Sequence, residues 1–318
     1  MPSRDGGPAV LHPHQPSPPP PCSFVHIMPH QYPTMVQYAP SVSPFTPSPA
    51  AAGGGVKAEV RDVWAGNLDD ELSTMASLLP YYPCVCVDTE FPGAVHGSST
   101  PRYLRGPRES YALVKRNVDD LKLLQVGVSL SGPSGRLPVA WQFNLRGFDP
   151  AVDPHAPDSV AMLRSQAGMD FATMRDFGAR PEDLAAGFYR YGLIPGGGSG
   201  EGSLITWVAF SGAYDFAYLT KALTGGRALP ETLEGFNALV RGLFGARVLD
   251  VKHLARCCGV KGGLEQVAAA LGVGRAAGRA HCAGSDSMLT TDVLLAMLDM
   301  FFRDTSVLEY AGTIVDLA

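Results

Sequence analysis

Hydrophobic positions fall into helical and strand spacings from Lys57 onward. Within RDVWAGNLDDELSTMASLL, Leu68, Leu72, Met75 and Leu79 form one apolar stripe, which predicts a first helix over this segment. CVCVDTE (Cys84–Glu90) predicts a strand. After a polar loop through Arg105 and Gly106, LKLLQVGVSL (Leu121–Leu130) and VAWQFNLR (Val139–Arg146) predict two more, and the turn-rich SGPSGRLP between them joins the pair into a hairpin. Helical patterns follow at Asp158–Gln166 and Pro181–Tyr191. The Gly-rich PGGGSGEG then leads into an apolar strand, Leu204–Phe210. Helices at Tyr214–Leu223 and Pro230–Leu243 and a short strand at Ala246–Asp250 come next; helices fill the rest, ending with the long Ser287–Phe302 pattern. A hairpin followed by alternating strands and helices implies an α/β fold, a mixed central sheet covered by helices, with a site at its strand tips.

The first fifty or so residues break this pattern. Half of the prolines precede Ala50, including the run Pro18–Pro21, and Asp5 is the only acidic residue before Glu59. Such a segment buries too little apolar surface to offset its ordering entropy. Residues 1–55 are therefore expected to be a disordered Pro/Gly-rich tail, and 56–318 the folded domain. The tail has neither the apolar core of a secretory signal nor the Arg-rich amphipathic pattern of a transit peptide. No window offers the roughly 18 apolar residues of a membrane span, so no membrane partner is expected. The cysteines lack disulfide-framework spacing; Cys84 and Cys86 read as small strand residues, Cys257 and Cys258 as helix-core packing. A net charge of −5 excludes gripping nucleic acid through the overall field. An RNA-handling chain of this charge needs a local site and bound cations.

Candidate chemistry begins with Asp88 and Glu90. Side chains alternate along a strand, so the two carboxylates point the same way. They repel unless solvent screens them or a cation sits between them. Asp215, just after the apolar strand, shares a helical face with Tyr218 and Leu219. Asp286 is in register with Leu289, Val293, Met297 and Met300, which makes it an inward-facing acid at the start of a core helix. Either aspartate alone could be a helix cap or a satisfied polar residue. Four acids at strand and helix ends together point to a cation site. Mg²⁺ and Mn²⁺, being hard, favour such oxygen donors.

The blocks VDTEFPG, NVDDLKLLQVGVSLS, WQFN, AYDFAYL, LPETLEGF, LDVKHLARCC, GGLEQVAAAL and HCAGSDSMLT resemble, in collinear order from about Lys57 to Gly312, the DEDD exonucleases. Within these they resemble the messenger-RNA deadenylases known as carbon catabolite repressor-associated factor or Pop-type ribonuclease. The resemblance implies a ribonuclease-H-like fold and a 3′-to-5′ exoribonuclease that shortens poly(A) tails, releasing 5′-AMP. It implies two divalent ions (Mg²⁺ or Mn²⁺) held by Asp88, Glu90, Asp215 and Asp286. His281, five residues before Asp286 as in the histidine subclass, would take the proton of the attacking water. Implied partners are single-stranded poly(A) RNA, a NOT scaffold subunit and a second deadenylase of the exonuclease–endonuclease–phosphatase type, and the implied location is cytoplasm and nucleus. One departure stands out: related enzymes carry Phe-His-Ser-Gly-Tyr-Asp where this chain has Phe210-Ser211-Gly212-Ala213-Tyr214-Asp215. That keeps two alternatives open, a catalytically weak scaffold subunit and, from the shared acids, a DNA-directed DEDD exonuclease. Phe91, beside the acids, reads either as a stacking platform for RNA bases or as a buried aromatic.

Overall fold

The computed structural model describes residues 57–195 and 203–318; the expected tail and most of PGGGSGEG lie outside them. Its strands are β1 (Glu59–Val63), β2 (Cys84–Glu90), β3 (Gln125–Gly132), β4 (Gly135–Asn144), β5 (Thr206–Ala209) and β6 (Val248–Asp250), in one sheet of order β1-β4-β3-β2-β5-β6. β3 runs antiparallel to both of its neighbours, β2 and β4, whereas β1 pairs parallel with β4, β5 with β2, and β6 with β5. β3 and β4 form the expected hairpin, closed by Pro133 and Ser134 between the paired Gly132 and Gly135.

Alternation along β2 assigns its side chains to two cores. Val85 and Val87 join Trp207, Trp141 and Phe143 in a core covered by α1 (Leu68–Leu78), α2 (Pro107–Asp120), α5 (Pro181–Arg190), α6 (Ala213–Leu223) and α7 (Leu233–Phe244). Cys86 joins Val208 and Leu249 on the opposite face, under α8 (Val251–Cys257), α9 (Leu264–Ala270) and α10 (Ala283–Phe301). Asp88 and Glu90 continue the Cys86 series and so share the face of α10. α3 (Pro157–Met162), extended by a wider turn over 163–167, and α4 (Phe171–Phe177) form a small satellite core with Leu124 and Phe148.

Several boundaries differ from expectation. Arg61–Val63 belongs to edge strand β1 rather than to the first helix, which begins after the chain turns at Gly66-Asn67, where Asn67 Oδ1 accepts the Trp64 N–H at 2.7 Å. The stretch before Gln125 holds α2, with Pro107 in its first turn and Tyr111, Val114 and Val118 buried. α4 was not anticipated either. α10 starts at Ala283, which places Asp286 in its first turn. Met300 is 56% exposed instead of inward, because α10 runs on past the sheet. Cys257 is exposed, and only Cys258 of that pair packs on the core. Among the described residues, no helix is long and apolar enough to cross a membrane.

α10 crosses β2, β3 and β4 at very close range. A Cβ on Gly127, which pairs with Asp88 across the β2–β3 ladder, would lie 1.8 Å from the Ala283 carbonyl oxygen. That approach seats the N-terminus of α10 on β3, the neighbour of the strand carrying Asp88. Gly127→Ala is therefore expected to cost about 2–3 kcal/mol through overpacking and to lift the start of α10. Denaturant unfolding checks this; an unchanged midpoint would show that the helix can shift freely.

Candidate active site

Four carboxyl groups meet at the end of β2. Asp88 and Glu90 come from the strand itself and are half-buried. Asp286 descends from the first turn of α10 on their own face. Asp215 arrives from the other side of the sheet, in the first turn of α6. Asp215 and Asp286 are buried, at 7% and 9% exposed. Thr89, whose side chain faces away from Asp88 and Glu90, donates its hydroxyl to Asp215 Oδ1 at 2.7 Å. Three consecutive strand residues thus serve one cluster: two supply carboxylates and the middle one anchors a third.

His281 is part of the same cluster. Single ligand atoms of Glu90, His281 and Asp286 lie within 4.8 Å of one another. The His281 backbone N–H donates to Asp286 Oδ2 at 2.9 Å, and His281 itself has φ 62°. Left-handed backbone at a non-glycine residue is strained and needs support from its surroundings. Ser211 shows the same feature, with φ 61° in the loop that delivers Asp215.

Asp250 supports that loop and was missed from sequence. Its buried carboxylate accepts backbone N–H groups from Ser211 (2.9 Å), Gly212 (3.0 Å) and Val315 (2.9 Å), besides capping α8 through Lys252 (3.0 Å). An Asp closing a strand before the helical VKHLARC is a legible cap signal; its reach to Ser211 and Val315 is not. Arg275, in the loop before α10, was also missed. Its Nη2 lies 2.6 Å from Asp286 Oδ1.

The electrostatics follow from crowding like charges. Burial pushes the Asp88 carboxyl well above the usual range, and the charges of Asp215, Asp286 and Glu90 push it further, opposed by Arg275. Glu90 rises to about 8 through burial, then through Asp286 and Asp215. Asp215 rises to about 7, mainly by burial, with the Thr89 hydroxyl pulling the other way. Asp286 is raised by burial against the lowering pull of Arg275. Solvent reaching Asp88 and Glu90 tempers the burial contribution, but the mutual repulsion acts in the same direction. Asp286 Oδ1 is buried and, despite its ion pair, has no aligned hydrogen bond. Clustered oxygen donors and raised pKa values are what a hard dication would relieve.

Beside the acids runs a cleft of about 720 Å³, lined among others by Asp88, Phe91, Arg102, Arg105, Tyr214 and Asp215. Ser211 also lines it. Phe91 is stacked on Tyr214, with centroids 4.9 Å apart and planes 21° apart, and is half-buried. Its two alternative readings merge: the ring packs against the core and also lines the cleft wall.

A mixed sheet whose central strand ends in this acidic cluster is a ribonuclease-H-like nuclease fold. The CAF1 family ribonuclease profile matches residues 63–177. The probable CCR4-associated factor 1 homolog 7 of Arabidopsis thaliana is 36% identical over 268 residues, covering 81% of this chain and 93% of that relative. Poly(A) ribonuclease pop2 of Schizosaccharomyces pombe is 33% identical over 261 residues, covering 80% and 74%. The solved S. pombe Pop2p, in a Mg²⁺- and Mn²⁺-bound form, superposes with a TM-score of 0.73 at 32% identity, covering 81% of this chain and 99% of that one. Yeast CAF1 co-crystallised with the NOT1 MIF4G domain gives a TM-score of 0.60 at 26% identity, covering 80% and 96%. The chain belongs to the CAF1 family of ribonucleases.

The raised carboxyls make a signed prediction. Asp215 and Glu90 keep protons in the folded metal-free protein up to about 7 and 8, whereas in the unfolded chain they release them near pH 4. The folded state then binds more protons, so stability falls as pH rises. The contribution is complete below about pH 4 and is lost on passing through 7 and 8. Metal-free protein should melt at a lower temperature at about pH 8.5 than at about 5.5, and Mg²⁺ should raise Tm more at the higher pH. A thermal scan in EDTA and in Mg²⁺ checks this; the opposite pH ordering contradicts the clustering.

Proposed function

We propose that this chain is a 3′-to-5′ exoribonuclease that shortens poly(A) tails and releases 5′-AMP. The observation that carries the reading is the convergence of Asp88, Glu90, Asp215 and Asp286, with His281 beside them. The metal-bound form of the S. pombe relative supports divalent ions as the partners of these acids. Asp88, Glu90, Asp215 and Asp286 would hold two such ions, as the family resemblance implies. When bound, such ions neutralise charge on the phosphodiester oxygens and lower the pKa of water.

The chain's own residues do the rest. Thr89 holds Asp215 at 2.7 Å, and the His281 backbone N–H holds Asp286 at 2.9 Å, so each carboxylate keeps one fixed orientation. The His281 ring accepts the proton of the attacking water. In the neighbouring cleft, the Phe91–Tyr214 pair offers a face for a terminal base and Arg105 offers positive charge to the RNA backbone, while Arg102 is paired with Asp316. By the yeast CAF1 complex, a NOT scaffold subunit is the proposed partner. A second deadenylase and a cytoplasmic and nuclear location rest on family resemblance alone.

Incubation of pure protein with 5′-labelled oligo(A) and Mg²⁺ should give a ladder descending in single-nucleotide steps. Asp215→Ala should slow it by at least about 100-fold, and oligo(dA) should be cut far more slowly. Equal digestion of the two would favour a DNA-directed exonuclease. A wild-type chain that yields no ladder would favour the scaffold reading, which the Ser211 departure motivates.

Thr89→Val keeps shape and burial but removes the anchor of Asp215. It should reduce kcat by about tenfold and lower Tm, because the buried Asp215 carboxyl loses its side-chain partner. An unaltered rate would mean that Asp215 is positioned by its helix alone.

A further inference from the structure

Arg275 stands in the loop between α9 and α10, with its side chain 16% exposed. Nη1 donates to Ser285 Oγ at 2.5 Å. Nη2 donates to Glu265 Oε1 and also lies 2.6 Å from Asp286 Oδ1. The other Asp286 oxygen, Oδ2, is occupied by the His281 N–H. Asp286 Oδ1 is therefore held by charge and not by an aligned hydrogen bond. Each Asp286 oxygen thus has one partner, Arg275 on Oδ1 and the His281 N–H on Oδ2.

We propose that Arg275 is the resident counter-ion of the acidic cluster, in competition with a divalent ion for Asp286. Resting on the metal reading above, the proposal assigns Arg275 two positions. Without a dication, it neutralises Asp286 and opposes repulsion among the four acids. When one enters, it gives up Oδ1 and falls back on Glu265 and Ser285. A guanidinium keeps its proton at any working pH, so it cannot leave by deprotonating. It must move, and any charge it retains near the site repels the incoming ion.

Glu265 sets the strength of that competition. Its side chain is 61% exposed, on α9, and it takes part of the guanidinium's charge. With Glu265 neutral, Arg275 would lean wholly on Asp286 and hold it more tightly. The two residues should therefore act in opposite directions on metal affinity. A merely structural role, in which both hold the loop in shape, would make both substitutions weaken binding.

The test is a Mn²⁺ titration of EDTA-stripped full-length protein, with free Mn²⁺ read by electron paramagnetic resonance. Arg275→Met should bind Mn²⁺ at least about tenfold more tightly than the unaltered chain, and Glu265→Gln about threefold more weakly. In EDTA, Arg275→Met should melt below the unaltered chain, and Mn²⁺ should close the gap. Equal or weaker binding by Arg275→Met overturns the proposal. If that variant does not fold, Glu265→Gln decides: binding equal to or tighter than that of the unaltered chain overturns it. Should the folded, unaltered chain bind no Mn²⁺ at all, the metal reading itself falls, and this proposal with it.

Discussion

Four carboxyl groups forced together at the end of one strand repel one another, and the local structure is organised around bearing that repulsion. Nothing in the apolar packing demands it. The sheet would close equally well with neutral residues at Asp88 and Glu90, since Val85 and Val87 supply that strand's core contacts on one face and Cys86 on the other. Instead the chain brings in Asp286 over Gly127, where no side chain would fit, and ties Asp215 to Thr89. Buried like charges persist only with protons or cations to neutralise them. The raised carboxyls reflect that crowding, and the ion pair of Arg275 with Asp286 opposes it.

The two faces of the sheet divide the work. The α10 face carries Asp88, Glu90 and Asp286, so its acids lie along one surface. α6 covers the other face, and only its first turn reaches the strand tip, which is why Asp215 needs an anchor of its own. The backbone strain falls at the same place: Ser211 precedes α6 and His281 precedes α10, each with a left-handed backbone. Asp250 offsets the first by accepting three backbone N–H groups from Ser211, Gly212 and Val315. Asp286 offsets the second by accepting the N–H of His281.

Much of this was legible in the sequence, for identifiable reasons. A period of two placed Asp88 and Glu90 on one face, and a helical register placed Asp286 inward; both are local patterns. The hairpin was marked by its turn residues. α2 was overlooked because its buried Tyr111, Val114 and Val118 are interspersed with charged residues that give it a polar average. β1 was absorbed into the first helix because EVRDV is short and mostly polar, as suits an edge strand. Arg275 and Thr89 had no chance of detection by spacing. Arg275 lies in an aperiodic loop, and Thr89 meets Asp215 across 126 positions of chain.

The most direct test of the central claim is anomalous diffraction from crystals grown with Mn²⁺. The account predicts anomalous peaks between the carboxylates of Asp88, Glu90, Asp215 and Asp286, with the Arg275 guanidinium displaced from Asp286. A fully occupied Mn²⁺ elsewhere, with this cluster empty and Arg275 still on Asp286, would contradict it.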